Sequence, residues 1–467
     1  MSLDAHPPPN RRQIGNPQSK QPSSNMEYRM DHCMSIPFQA GVDSTLQIIP
    51  LEGKTERGGF KMKRNIIKLI TLPIFVLVAP VAFWVLQGIA FGRDFPEMTK
   101  NNRVVETVEK GIIILVEFPD VRHDVNRNLV QTRFSQHLNN YVREMSYSKV
   151  SLAIDVTKRW YTMPNSVREY RISSRNLEVD KSRVRNLIED ALDAADEEVD
   201  FSKYSFVAIL MGARLTDYGM IGLCGYPGML GWKTESSLKT RSGQLVKGGV
   251  AIFSFQAHLG TLFHDIAHIL GGVKEAKRMV PCLYDHDLQA KPGPMRETFV
   301  EALINMGFWD TMSCHFYKRE LPPPGISSWT KMRLNWIDQS KIKIVKLGEE
   351  AEFILGPLED GSSEIVVGKI PISETAYYLI ENRQPIGFDR NLPGSGVLIM
   401  YADDNIAECR HGKAPVRLVN ADPSVPHLEG AAFDIGKIES FQDGGNKIKI
   451  QLKEKIGGSY KILISPL

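Results

Sequence analysis

The stretch LFHDIAHILGG, residues 262–272, carries the strongest chemical signal in this sequence of 467 residues. His264 and His268 lie four positions apart, so both imidazoles project from the same face of a helix. That spacing allows one nitrogen of each ring to reach a single metal ion. Two glycines follow, which is typical of a helix C-terminus. The stretch therefore predicts a metal-binding helix with Asp265 directly after the first ligand.

Histidines are concentrated around this helix. Five of the eleven in the chain fall within one segment of fewer than sixty residues: His258, His264, His268, His286 and His315. Two histidines at this spacing can also simply cap or pack a helix. The clustering favours metal binding over that alternative.

Far upstream, the stretch from Leu69 to Gly92 contains no charged residue over 24 positions. As a helix it would extend about 36 Å, more than the roughly 30 Å hydrocarbon core of a bilayer. Basic residues crowd its N-terminal side, whereas charges of both signs follow it. The positive-inside rule then predicts a single-pass membrane protein: residues 1–61 form a cytoplasmic tail, 66–92 the anchor, and the rest lies outside the cytoplasm.

A cleaved signal peptide is the alternative to an anchor. Met62 begins a short basic segment ahead of the apolar stretch, so the true start is either Met1 or Met62. Residues 1–61 are rich in Pro, Ser, Asn and Gln, and they are expected to be disordered if translated. A buried core helix is disfavoured because 24 uncharged residues are long for one. Anchor and signal peptide both export the remaining chain.

The first part of the exported chain alternates predicted strands and helices. Apolar runs rich in β-branched residues predict strands at 111–118, 150–156 and 206–211. Apolar residues at helical spacing predict helices over 126–146 and 181–198. This alternation indicates a domain that contains both helices and a sheet.

The pattern changes after the proline-rich segment LPPPG at 321–325. Short strand candidates then follow one another, separated by Gly, Pro and Asp: KIKIVKL, EFIL, EIVVGKI, YYLIEN, GVLIMYA, KIKIQL and YKILIS. Such spacing is typical of a β-sandwich or barrel. The predicted fold class is α+β, with a first domain over 104–340 and a β-rich, sandwich-like domain over 341–467.

Composition and cysteine content set broader limits. A hydrophobic fraction of 42% excludes a wholly disordered chain, and a net charge of only +3 argues against a nucleic-acid partner. Cys33 precedes the predicted anchor. The other four cysteines could form two disulfides in three connectivities, and nothing in the sequence selects one: Cys224, Cys282, Cys314 and Cys409.

Six segments in order resemble the immune-inhibitor-A family of secreted zinc metallopeptidases, over roughly residues 110–435. The helix stretch resembles that family's H-E-x-x-H pattern, and Met312 occupies the position of its methionine turn. The remaining segments are ILVEFPD at 114–120, YVREMSYSKVSL at 141–152, GFWDTMS at 307–313, SSWTKMRLNW at 327–336 and YYLIENRQPIGFDRNLPGSGVLIMYADD at 377–404.

The resemblance implies a zincin-like catalytic domain, followed by the β-rich domain, that cleaves protein or peptide substrates with a zinc-activated water. By position, His264 and His268 would bind Zn²⁺ and Asp265 would be the general base. Met312 would form a hydrophobic floor under the metal. Calcium is a second candidate cofactor, with the acidic segments YDHD and ADD as its candidate ligands.

Two departures from the family pattern affect the site. Asp265 replaces the family's glutamate, which places the carboxylate one methylene closer to the backbone. The segment GVKEAKRM at 272–279 is inserted, and Cys282 then falls where the acidic third ligand is expected. A thiolate can bind zinc, but an exported cysteine is more often in a disulfide, for which Cys314 is the candidate partner.

The sequence therefore leaves the third ligand open. Asp285, His286 and Asp287 are alternatives to Cys282, and a site with no third ligand is another. The best-supported function is a membrane-anchored, extracytoplasmic zinc endopeptidase. Its main rival is a pseudopeptidase that binds metal or peptide without turnover. The helical HD phosphohydrolases share a His-Asp pair but do not fit the β-rich half. Substrate specificity and oligomeric state are not encoded in any pattern we can identify.

Overall fold

The computed structural model describes residues 106–172, 179–232, 238–286 and 305–467. No helix within those ranges is both long enough and apolar enough to cross a membrane. The predicted tail at 1–61 and the predicted anchor at 66–92 lie outside them. The described part is α+β, as predicted, with one mixed sheet and two further β-sheets.

A six-stranded sheet forms the first part of the fold. Its strands run in the order β2-β1-β4-β6-β5, and β3 pairs with the end of β1. Only β5 is antiparallel to its neighbour. The bounds are β1 Thr107–Glu117, β2 Val150–Val156, β3 Tyr161–Thr162, β4 Phe206–Met211, β5 Gly222–Tyr226 and β6 Gly249–Ser254. The three strands predicted in this region are thus confirmed, whereas β3, β5 and β6 were not predicted.

Helices cover both faces of this sheet. The bounds are α1 Arg127–Thr132, a π-helical turn Arg133–Leu138, α2 Asn139–Met145, α3 Val167–Tyr170, α4 Lys181–Ala195, α5 Leu215–Tyr218, α6 Leu259–Gly271 and α7 Ser328–Arg333, with short 3₁₀ helices at Phe201–Lys203, Gln339–Lys341, Gly387–Asn391 and Pro426–Leu428. The helices predicted over 126–146 and 181–198 are confirmed. Alternate side chains of β1 enter opposite cores: Ile113 packs with α1, α2 and α6, whereas Ile112 packs with α4.

The second half consists of two packed sheets and confirms the predicted β-rich region. One sheet has the order β14-β13-β12-β11-β9 and the other β10-β17-β16-β15. The bounds are β9 Ile342–Ile344, β10 Ala351–Leu355, β11 Val367–Pro371, β12 Ala376–Arg383, β13 Gly396–Asp403, β14 Val416–Leu418, β15 Ser440–Asp443, β16 Ile448–Ile456 and β17 Ser459–Pro466. A two-stranded hairpin, β7 Val273–Lys274 and β8 Lys277–Arg278, lies between the two halves in sequence.

Strand β12 joins the sandwich to the rest of the protein, and every one of its side chains is buried. Tyr378 and Ile380 pack into the core between the two sandwich sheets. Tyr377 and Leu379 point to the other face, where they share a hydrophobic core with Trp329 of α7. That core crosses the predicted boundary at 340/341. The division into two domains at this point stays a prediction.

Candidate metal centre

Helix α6 carries both histidines of the opening stretch. It begins after His258, whose ring nitrogen accepts a hydrogen bond from the Gly260 N–H. It ends at Gly271, because Gly272 adopts a φ of 63°, which favours glycine. Phe263 and Ile266 are buried against the mixed sheet and fix the rotation of the helix.

His264, His268 and Cys282 converge on one point. The Sγ of Cys282 lies 3.4 Å from the Nε2 of His264 and 3.4 Å from the Nε2 of His268. The three side chains are only 2%, 1% and 4% exposed, respectively. The donor atoms of these three residues all lie within 4.8 Å of one another, close enough to hold one metal ion.

The spacing of these atoms fits zinc. With Zn–S near 2.3 Å and Zn–N near 2.05 Å, a tetrahedral site separates sulfur from nitrogen by about 3.6 Å. The observed sulfur–nitrogen separations of 3.4 Å are close to that value. Two imidazoles and one thiolate are also ligands that zinc accepts, and three protein ligands are typical of catalytic zinc sites. The donor set therefore fits a zinc ion.

Each imidazole is oriented by a hydrogen bond from its other nitrogen. The Nδ1 of His264 donates to the carbonyl of Thr311 at 3.2 Å, and the Nδ1 of His268 donates to the carbonyl of Val280 at 2.7 Å. These bonds fix the tautomer that presents Nε2 to the site. Metal-binding histidines usually show this arrangement.

The turn that contains Thr311 is itself held rigidly. Asp310 accepts a hydrogen bond from the Met312 N–H at 2.8 Å, and its second oxygen accepts from the Ser327 N–H at 2.9 Å and from the Thr330 hydroxyl at 2.7 Å. Asp310 thereby ties the predicted methionine turn to the start of α7. Met312 is fully buried, in line with the packing role expected for it.

Cys282 is surrounded by groups that favour its ionised form. Burial raises the pKa of its thiol, but His268, Arg278, His264 and His286 together outweigh burial and hold that pKa well below its usual value. The thiolate form is the one that binds a metal. Burial also lowers the pKa of His268, to about 4, which keeps its imidazole neutral and able to act as a ligand.

Asp265 lies beside the centre rather than in it. Its carboxylate accepts a hydrogen bond from the backbone of Cys224 on the edge strand β5, and burial raises its pKa to about 7. Gly222 allows this close approach, because a Cβ there would lie 2.8 Å from the Asp265 Oδ2. That Oδ2 atom is buried and has no hydrogen-bond partner among the residues that the structure describes.

Two aromatic side chains complete the surroundings of His264. The ring of His315 lies with its centroid 4.5 Å from that of His264, and its Nδ1 is 3.0 Å from the Thr261 hydroxyl. Its buried Nε2 has no partner within the described ranges. Tyr284 stacks on His264 at 5.7 Å and forms a side-chain hydrogen bond with Cys282. The sequence signal for His315 was only its membership of the histidine cluster.

Neither of the other described candidates converges with the two histidines. Asp285 accepts a hydrogen bond from the Gly412 N–H at 3.1 Å. His286 lies 3.6 Å from Glu408 and forms a side-chain hydrogen bond with Cys282. Asp287 lies outside the described residues. Of the alternatives that the structure describes, Cys282 is thus the one that reaches the two histidines.

The cysteines do not form the disulfides that the sequence allowed. Cys224, Cys282, Cys314 and Cys409 form no disulfide with one another. The pairing considered for Cys282 and Cys314 is therefore not formed, because Cys282 faces the two histidines while the Cys314 thiol donates to the Phe316 carbonyl at 3.2 Å.

The acidic segment ADD, considered for calcium, is engaged with protein groups. Asp404 accepts from Arg333 at 2.7 Å and from the Tyr377 hydroxyl at 3.0 Å. Asp403 accepts from the Asn405 N–H at 2.9 Å. Calcium binding stays a prediction.

Comparison with known proteins gives a distant structural similarity. No family model matches the chain, and no curated protein matches it significantly. Among solved structures, the crystal structure of metalloproteinase-II from Bacteroides fragilis matches over 50% of this chain and 54% of that one, with 9% identity and a TM-score of 0.28. The match spans about half the length of that structure. At such values it carries no weight for function, which must be argued from the site itself.

Proposed function

We propose that this protein is a zinc-dependent endopeptidase whose metal is held by His264, His268 and Cys282. The observation that carries the proposal is the convergence of two Nε2 atoms and one Sγ, with both imidazoles oriented by backbone carbonyls. Sequence resemblance to the immune-inhibitor-A metallopeptidases supports the choice of a peptide substrate. The cofactor that follows is Zn²⁺.

The residues divide the chemistry among them. A zinc ion at this site would supply a water of lowered pKa and polarise the scissile carbonyl. Asp265 is the proton acceptor, because its Oδ2 is uncommitted while its other interactions fix the carboxylate against β5. His315 presents a second uncommitted nitrogen next to His264, suited to orient the substrate's carbonyl.

A pseudopeptidase is the second candidate, and one observation favours it. The three ligands and Asp265 are all 5% exposed or less. A peptide must reach the metal to be cleaved. Turnover would therefore require a path from solvent to the metal, and the burial of all three ligands argues against one. Such a protein would bind metal, and its Asp265 would serve only to hold the helix to β5.

Substitution of Asp265 separates the two candidates. We expect the full-length protein to contain about one zinc per chain and to cleave unfolded protein substrates. Asp265→Ala should lower kcat by about 10²–10⁴-fold with zinc retained, which is the usual contribution of a positioned proton acceptor. Zinc content and cleavage of a fluorescent casein are measured on the same preparations.

The conservative variant Asp265→Glu provides the control. The pseudopeptidase would be established if the wild-type protein binds zinc but is inert, and if the Asp265→Glu variant is active. A wild-type protein that binds no zinc would contradict both candidates.

We further propose that the protein is a single-pass membrane protein with its metal centre outside the cytoplasm. The uncharged stretch from Leu69 to Gly92 and its basic N-terminal flank support this orientation. In intact cells, a membrane-impermeant maleimide should not label Cys33 but should label a cysteine introduced at the exposed position Lys453. Labelling of Cys33 in intact cells would show the opposite orientation, and failure to label the cysteine at position 453 would contradict a metal centre outside the cytoplasm.

A further inference from the structure

The two departures from the family pattern meet in space. The inserted segment forms the hairpin of β7 and β8, and Arg278 at its end is 5% exposed. The Nη2 of Arg278 lies 3.8 Å from the Sγ of Cys282, within hydrogen-bonding distance of sulfur. The insertion thus delivers a guanidinium to the residue that replaces the family's acidic ligand.

A second element holds Arg278 in place. Glu408, from the sandwich half of the chain, accepts two hydrogen bonds from the guanidinium, at 3.1 Å from Nε and 2.8 Å from Nη2. The indole of Trp232 lies under the same group, 4.8 Å from its central carbon. A planar guanidinium can meet a carboxylate and a sulfur together, which an ammonium cannot do in the same geometry.

The pairing would have a function if the sulfur is a metal ligand. A thiolate donates more charge to a metal than a carboxylate does, and that charge weakens the metal as a Lewis acid. A cation that donates a hydrogen bond to the sulfur withdraws part of this charge, as groups behind a ligand generally tune the metal. Lys277, the neighbour of Arg278 on the hairpin, is exposed and forms no such contact.

We propose that Arg278, anchored by Glu408, is a positioning residue that donates a hydrogen bond to the thiolate of Cys282 and limits the charge that the sulfur transfers to the bound metal. The insertion and the cysteine then form one functional unit. This role rests on metal binding at the proposed centre and deepens it. It does not depend on whether the protein cleaves peptides.

Cobalt substitution of the full-length protein tests this role by spectroscopy. A cysteine ligand gives a sulfur-to-cobalt charge-transfer band in the near ultraviolet. In the double variant Arg278→Met, Glu408→Gln, we expect that band to move to longer wavelength, since the sulfur loses one of its hydrogen-bond donors, the guanidinium. The visible cobalt bands, which report the coordination geometry, should not move. The double variant removes both charges together, so neither is left buried and unpaired.

Two further variants complete the experiment. Arg278→Lys should move the band part of the way, and Lys277→Ala should leave it at the wild-type position. A wild-type band that stays in place in the double variant would overturn the role of Arg278 while leaving the metal centre intact. A wild-type protein with no charge-transfer band would show that Cys282 is not a ligand, and the proposed centre would fail with it.

Discussion

Replacing Arg383 with methionine is expected to destabilise the protein by about 3–5 kcal/mol, the usual cost of removing one partner from a buried ion pair. Arg383 is fully buried at the end of β12. It donates to Asp389 at 2.6 Å, to Glu381 at 3.1 Å and to Glu359 at 3.2 Å. Its loss leaves three carboxylates without their common cation in a region that excludes water.

The same residue connects the sandwich to the metal centre. Arg383 also donates to the backbone carbonyl of Trp309 at 2.8 Å, one residue before Asp310 and the turn that orients His264. Asp389 accepts from the Gly325 N–H at 2.6 Å. We therefore expect Arg383→Met to weaken zinc binding as well as folding, because the carbonyl of Thr311 loses part of its support.

Equilibrium unfolding in urea measures the first effect. The matched control is Lys461→Met. It breaks an exposed ion pair with Glu352, whose atoms are 2.8 Å apart, and should lower the free energy of unfolding far less than Arg383→Met does, because solvent screens exposed pairs. Neutralising the three acids in the Arg383→Met background should recover part of the loss. Equal stability of Arg383→Met and Lys461→Met would show that the buried ion pairs of Arg383 do not stabilise the fold more than an exposed pair does.

Zinc should stabilise the wild-type protein and should fail to stabilise Cys282→Ser or His268→Ala. Binding to the folded state alone adds RT ln(1 + [Zn²⁺]/Kd), about 4 kcal/mol at a free zinc concentration near 1,000 Kd. Each variant removes one of the three converging donors. The expected result is a melting temperature that rises with free zinc in the wild type and does not change in the variants.

The control for general damage is His427→Asn, at an exposed position where the backbone φ is 57° and asparagine is tolerated. This variant should respond to zinc as the wild type does. Measurements in excess chelator compare the metal-free proteins with one another. An unchanged zinc response in Cys282→Ser would assign the third ligand to another residue, and an unchanged response in His268→Ala would remove the site from α6.

Much of the fold could be predicted because it is encoded in short-range patterns. Apolar runs predicted strands that the structure confirms, among them β2 at 150–156 and β4 at 206–211, and apolar residues at helical spacing predicted helices that it also confirms. Strand β5, Gly222–Tyr226, was missed because two of its five residues are glycines, which are rare in strands. Contacts with residues distant in the sequence leave no room for a side chain at those glycines. At Gly222, the Asp265 carboxylate occupies the space that a Cβ would need.

The sequence by itself determined that His264 and His268 share one helix face, because a spacing of four residues leaves no other arrangement on a helix. Only the tertiary structure decided which residue joins them. The sequence favoured Cys282 by its position but left Asp285 and His286 open as alternatives, because the approach of Cys282 depends on how the chain packs after α6. Arg278 and Glu408 are 130 positions apart, and their meeting behind the sulfur could not be predicted from local patterns. The face of a helix on which a residue lies follows from the spacing of residues along the chain. The convergence of distant side chains depends instead on how helices and strands pack to bury their apolar faces.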